Sequence, residues 1–561
     1  MIIKKLSQVE LLKNQDLEWL LIDLRKEHLI IEEYLTELSK YFAKQPQALQ
    51  SLKLYFGEIA QVNQLIACKI SQGIINAKNL KEIIVDLNGI SVGDEAIFNL
   101  TFAFSQCRFL TNLQLNFKNA QIGWYGSQQL GKALSQCQNL TNLNLQLKNN
   151  NLDSSSIQEI SQSFELCKNI QLLNLYLQAN NFQQEGASNL AQSIQKCPGI
   201  RFLTLFIQSN YINDEGAYRI GQAISQLKNL EHILLNMKWS NIGDVGVTKI
   251  FQGLLECKKI ADININLLSN RITNKGLTQL AELISSSQHL TNLKIDLRWN
   301  NFDVEGEFLI FKGISKSKSL KKVSTYLLQK NSEAYNLQQL NLGILKFETI
   351  EELLISMKGK EIESLGVSKI TQGLLSFKNL KKLKLNLNQD DIDDQQLQSS
   401  SINLEKLYQI DQLSNKIENL GVESLFKAFQ KLSHLNKLCI DLSFNKITLQ
   451  GVDCIKGISQ IQNLTFLKIN LDKNQIKYVL YLNEAIKNCT RLKTLILSLK
   501  QTQIKDEDAL NISKGLNDLN NLNYYELNLM DNSRINDMNI KRKIYEQCIR
   551  SKKLVQFQFL K

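Results

Sequence analysis

A chain of 561 residues would ordinarily divide into several compact domains, but with 43% hydrophobic residues and only two prolines, Pro46 and Pro198, it offers no proline-rich linker at which to divide. The formal charge of +12 is uneven: residues 431 to 561 hold 21 Lys and Arg against 12 Asp and Glu, so nine of the twelve net positive charges fall in the last quarter. No apolar run nears the roughly 18 residues of a membrane span, no secretory leader is evident, and ten cysteines are too sparse for a disulfide-stapled secreted fold, which leaves a soluble cytoplasmic protein as the expectation.

In chain order, residues 1–48 place Leu20, Leu21, Leu24, Leu29 and Ile30 among charges and predict a helical N-terminal cap. From residue 49 a repeat takes over. Cys107, Cys137, Cys167, Cys197 and Cys257 are spaced by 30 residues or a multiple of 30, with Leu227 in the skipped place. The same register carries Asn150, Asn180, Asn210, Asn270 and Asn300, and later Gly186, Gly216, Gly246, Gly276 and Gly306. Units begin near Leu80 and recur without slippage to about 390.

Each part of the unit has a physical reading. Alternation at Leu143, Leu145 and Leu147 predicts a half-buried strand. The Asn that follows can bond backbone groups of its own and the next repeat. Ser154, Asp214, Asp244, Asn274 and Ser364 share a register before the glycine position and predict helix N-caps. Ile157, Ile160, Phe164 and Cys167 form one apolar helical stripe. A unit this small cannot bury both faces alone, so neighbours must stack. Strands about 4.8 Å apart and helices about 8–10 Å apart would bend the stack.

These features resemble leucine-rich repeats of the ribonuclease-inhibitor type, over nearly the whole chain. The resemblance implies an α/β solenoid, a horseshoe of roughly 16–18 repeats with parallel strands on the concave face and α-helices on the convex face. An extra LxLxL strand pair and the Asn, Gln, Lys and Ile richness are similar to repeat proteins of protists, ciliates included.

The unit near 320 is degenerate, with Thr325 at a core strand position and Lys330 in the Asn place, and 391–403 predicts an irregular loop. Both are candidate hinges. Residues 404–561 read as looser, basic repeats restarting near Leu404, Leu435, Leu464, Leu492 and Leu522, then a final open strand with Leu554, Phe557 and Phe559.

Chemistry-bearing motifs are missing. There is no phosphate-binding glycine loop, no CxxC pair, no HExxH, and His28, His232, His289 and His434 are scattered. The cysteines read as small buried hydrophobes. No catalytic, cofactor or metal site is expected. Binding residues are expected on the outward strand positions and the turn beyond them: Tyr176, Phe206, Lys238, Trp239, Lys294, Asp296, Arg298 and Trp299. The alternative for these aromatics is local gap-filling. Leu554, Phe557 and Phe559 form a candidate edge for strand addition or a merely solvated edge. Lys541, Arg542, Lys543, Arg550, Lys552 and Lys553 form a candidate basic surface for an acidic protein, with nucleic acid the weaker alternative.

The resulting expectation is a non-enzymatic scaffold or adaptor that binds protein partners on its concave face. The resemblance also implies, as alternatives, a small-GTPase regulator, a ubiquitin-ligase substrate receptor or a subunit of a ciliary or axonemal assembly. A cytoskeletal or ciliary location would accompany the last. No membrane partner is expected.

Overall fold

The computed structural model describes residues 1–4, 17–26, 40–42, 48–56, 64–327, 344–357, 364–387, 417–479, 482–517, 521–533, 535, 542 and 554–558. The chain forms two compact units, 1–290 and 291–561.

In the first unit, β1 (Ile2–Ile3), β2 (Trp19–Asp23), β3 (Ser51–Tyr55), β4 (Glu82–Asp86), β5 (Asn112–Asn116), β6 (Asn142–Gln146), β7 (Leu172–Tyr176), β8 (Phe202–Phe206), β9 (His232–Asn236) and β10 (Asp262–Asn266) pair in parallel, each with the next. The second unit repeats this with β11 (Asn292–Asp296), β12 (Lys322–Tyr326), β13 (Glu352–Ser356), β14 (Lys382–Asn386), β15 (Lys437–Asp441), β16 (Phe466–Asn470), β17 (Thr494–Ser498), β18 (Tyr524–Asn528) and β19 (Leu554–Gln558). Each unit is thus an α/β solenoid: a parallel sheet whose strands alternate with helices along the chain. Leucines such as Leu143 and Leu145 are buried against helical residues such as Ile157, Ile160 and Phe164. The alternate strand positions remain partly exposed on the other face.

Three ladders lock one repeat to the next. Asn180 Oδ1 accepts from the backbone N–H of Asn150 and Leu152, while its Nδ2 donates to the carbonyls of Leu147 and Leu177. One buried amide so satisfies four backbone groups that the turn would otherwise orphan. Cysteine thiols do a weaker version of this: Cys137, Cys167, Cys197 and Cys257 each donate to the carbonyl 33 residues earlier, at 3.7, 3.2, 3.4 and 3.2 Å. All five repeat cysteines are free and buried.

The third ladder corrects an expectation. Of the residues expected to cap their own helices, Asp214 and Asp244 cap the next one instead, and Asn419, in the same kind of position before a glycine, does so as well. Asp214 Oδ1 accepts from Gly243 N at 2.8 Å and Gly246 N at 2.9 Å. Asn419 Oδ1 accepts from Thr448 N and Gly451 N, both at 3.0 Å. Glycine recurs here because a Cβ at Gly246 would lie 2.8 Å from Asp214 Oδ1.

Two further departures concern boundaries. Instead of helix, Trp19–Asp23 is a strand, with Leu20, Ile22 and Leu24 buried and Leu21 outward in period-two alternation. The helical cap expected over 1–48 therefore does not describe these residues, which extend the sheet; of that stretch only 1–4, 17–26, 40–42 and 48 are described. In the second unit β14 pairs directly with β15, Lys382 with Lys437, breaking the 30-residue strand spacing; the repeat expected to start near Leu404 lies outside the described residues. Buried Thr325 sits in a five-residue strand paired on both sides. Lys330 and 391–403 lie outside the described residues.

Candidate protein-binding face

The strand face of the first unit is polar over β5 and β6, where Asn112, Gln114, Asn116, Asn142, Asn144 and Gln146 alternate outward. It changes character at β7. Leu172 and Tyr176, then Phe202 and Phe206 on β8, then His232 and Leu234 on β9 occupy outward positions of adjacent in-register strands. Tyr176 meets Phe206 edge-on with ring centroids 4.9 Å apart, and Phe202 stacks on His232 at 4.8 Å. Both are favourable aromatic geometries between nearest cross-strand neighbours. Burial pushes the Tyr176 phenol above its ordinary value. Arg201 lies over the Phe202 ring and forks onto the Glu231 carboxylate at 2.8 and 2.9 Å.

This apolar cluster is flanked by side-chain acceptors without a partner: Asn144 Oδ1, Gln178 Oε1 and Gln208 Oε1. Gln178 and Gln208 hold the same place in successive repeats, two residues beyond Tyr176 and Phe206.

Beyond the strands, the residue before the ladder position takes a left-handed conformation in repeat after repeat, as at Asn149, Ala179 and Ser209. Asn and small residues suit it. Trp239 occupies it at φ 55° with the Lys238 ammonium 4.3 Å from its ring centroid. Tyr211, two places on in the preceding repeat, is also left-handed at φ 55° and is 68% exposed.

In the second unit Trp299 holds the same turn position at φ 59° and is exposed. Asp296 departs from expectation: it is buried, and accepts both Nε and Nη2 of Arg298 at 3.0 and 2.7 Å. A bidentate pair of this kind fixes the Arg298 fork, which lies over Tyr326 at 5.5 Å, with Lys294 5.8 Å from the same ring. Further along, Lys384, Cys439 and Lys468 are directly paired neighbours on β14, β15 and β16, with Lys437 on the same face. The three lysines are exposed and make no ion pair among the described residues. Burial pushes the Cys439 thiol up despite the opposing pull of these lysines.

The structure thus brings together Tyr176 with Phe206, Lys238 with Trp239, and Asp296 with Arg298, and places Lys294 and Arg298 about one tyrosine. Phe202, His232, Leu172, Leu234, Tyr326 and the lysine row were missed by sequence reasoning. The signal existed: Phe202 stands one place before the core leucine, and continuing the alternation backwards would have put it beside Phe206. Of the basic surface, Arg542 is described and exposed, whereas Lys541, Lys543, Arg550, Lys552 and Lys553 lie outside the described residues. Leu554 and Phe557 are in β19, where Phe557 pairs with Leu527; Phe559 lies outside.

Among the described residues no cluster of His, Cys, Asp and Glu could hold a metal ion, and no helix is long and apolar enough to cross a membrane. No family model and no curated protein matches the chain. Among solved structures it is similar to an internalin from Listeria monocytogenes, at 15% identity and a TM-score of 0.35, over 76% of this chain and 83% of that one.

Proposed function

We propose that the chain is a non-enzymatic protein-binding scaffold of the leucine-rich-repeat kind, and that the strand face at β7–β9 holds its partner. The observation that carries this reading is the paired aromatic cluster of Tyr176, Phe206, Phe202 and His232 on the partly exposed strand face. Half-buried aromatics beside Arg201 have the composition of an interface hot spot. Full helices between strands, such as Asn213–Gln226 with 14 residues, support the ribonuclease-inhibitor class.

Cross-linking and mass spectrometry from a native extract tests this, comparing wild type with the triple variant Tyr176→Ala, Phe202→Ala, Phe206→Ala. The expected outcome is loss of a defined partner set at unchanged circular dichroism. Retention of that set by a folded variant overturns the reading.

A second reading rests on the Lys384, Lys437 and Lys468 row, which favours an acidic partner on the strand face of the second unit. Polyglutamate should bind in a salt-dependent way and lose affinity on Lys384→Glu with Lys468→Glu. Binding of RNA but not polyglutamate would replace the acidic protein with a nucleic acid.

A further inference from the structure

The helix face of the first unit carries an aromatic stripe that the repeat itself does not call for. Phe98 and Phe102 lie one helical turn apart on Gly93–Ser105, and Phe109 follows in the turn beyond. Trp124 and Tyr125 open the neighbouring helix Trp124–Gln136. They are 41, 53, 56, 47 and 46% exposed, in that order. In most other repeats these registers are polar: Gln128 and Gln158 match Phe98, Lys132 and Gln162 match Phe102, and Asn139, Asn169 and Asn229 match Phe109, whereas Tyr218 and Phe308 also fall in the Phe98 register, without an aromatic partner one turn on.

The last substitution gives up a bond. Asn139, Asn169 and Asn229 each donate to a carbonyl of the preceding turn, at 2.8, 3.1 and 3.1 Å. Phe109 cannot, and it gains no burial in return. Where a local rule is broken without local compensation, a function elsewhere is the physical explanation. Exposed apolar side chains grouped on one helix and the start of its neighbour are often functional.

We infer that this stripe is an interface with a second copy of the same chain, related by a twofold axis near Phe102. Charge selects this occupant. Glu95 stands in the first turn of the helix, at the start of the stripe, and Arg108 in the turn just past the helix end, beside Phe109. Both are exposed and make no ion pair among the described residues. A twofold axis through the middle sets Glu95 of each copy against Arg108 of the other, with the helix dipoles antiparallel. Area agrees with this occupant. Half of about 200 Å² for each of five aromatic side chains gives about 500 Å² of apolar surface. A stable interface buries about 800 Å² per partner, of which about 65% is apolar in homodimers. The exposed Glu95 also makes the stripe a poor fit to an anionic membrane.

Sedimentation velocity on the full chain across micromolar concentrations tests the inference. Wild type is expected to dimerise, and Phe98→Glu with Phe102→Glu to weaken the dimer by more than about tenfold. Glu95→Arg or Arg108→Glu alone should weaken association, and the two together should restore it. A wild type that stays monomeric, a dimer indifferent to the Phe variants, or binding of the stripe to phosphatidylcholine vesicles in place of self-association each overturns the proposal. Should the Phe variants misfold, the exposed charge pair decides: without mutual rescue the twofold pairing is wrong.

Discussion

The Asp244 carboxylate, at the first position of its own helix, caps the following helix instead: its Oδ1 accepts from Gly276 N at 3.0 Å and Thr273 N at 2.8 Å, while Thr273 Oγ1 donates to its Oδ2 at 2.6 Å. A Cβ on Gly276 would sit 2.7 Å from that oxygen and 2.7 Å from Val247 Cγ1. Capping and the repeat glycine are therefore one device spanning two repeats.

Gly276→Ala should destabilise the chain by about 1–3 kcal/mol through overpacking, and Asp244→Ala by about 1–2 kcal/mol through loss of the cap. Removing the carboxylate also removes part of the clash, so the double variant should cost less than the two singly added. Denaturant unfolding measures the sum, and amide exchange at Thr273 and Gly276 localises it. Strict additivity would separate the glycine from the cap.

The Asn ladder has a natural gap. Ser240 is buried in the ladder register, and its hydroxyl donates only to Lys238 O, at 3.4 Å. Asn180→Ala would unpair four backbone groups and should cost about 2–4 kcal/mol. Ser240→Asn, restoring the repeat's own residue, should instead stabilise by about 1 kcal/mol. Thermal unfolding of the two variants should shift in opposite directions; a destabilised Ser240→Asn would show that the gap is filled by packing.

Burial pushes the Cys107, Cys137, Cys197, Cys257 and Cys489 thiols up to about 12 and Cys167 to about 11, from an ordinary 9.0. The thiolate is the nucleophile, so native-state alkylation at pH 8 should label Cys68, Cys439 and Cys454, which are only half-buried, well before these six. Peptide mapping by mass spectrometry reads the order. The folded state holds its thiol protons more tightly, so this contribution to stability is complete below the unfolded value near pH 9. It is lost as pH rises from there towards 12. Stability in reducing buffer should fall accordingly between pH 8.5 and 10, read as a lower denaturation midpoint, and the fall should shrink when Cys137, Cys167 and Cys197 are replaced by Ala.

What could be read in the sequence was whatever the stacking imposes on every unit. Leu143, Asn150 and Cys167 recur because each fills an identical slot, and 30-residue spacing makes that visible without coordinates. Trp19–Asp23 escaped because its strand partner Ser51 lies 32 residues on, and because Leu20, Leu21 and Leu24 suit a helical stripe as well as a strand. The caps escaped for a different reason: within one repeat, a residue bonding its own helix and one bonding the next look alike. The aromatic face was half legible. Tyr176 and Phe206 were found from alternation, but Phe202 and His232 come together only through cross-strand pairing at the strand's first position. The Phe98 to Tyr125 stripe is spread over two repeats and appears only when their helices lie side by side.

The turn tryptophans give the last prediction. A bulky side chain at positive φ costs about 1–2 kcal/mol, and Trp239 and Trp299 accept this at φ 55° and 59° where Asn149 serves an earlier repeat at the same position. Trp239→Asn should recover part of that cost, offset by loss of the Lys238 ammonium contact at 4.3 Å, for a net gain of about 0.5–1 kcal/mol. Trp299→Asn should gain about 1 kcal/mol. Strain retained at a surface position is explained if the ring is used, so both variants should unfold later, and Trp239→Asn should also bind the strand-face partner of the first unit more weakly, by about fivefold or more. Unfolding midpoints and partner titration on the same samples give the two readouts. A Trp239→Asn chain that is more stable and binds equally well would remove Trp239 from the interface and leave Tyr176, Phe202 and Phe206 to carry it alone.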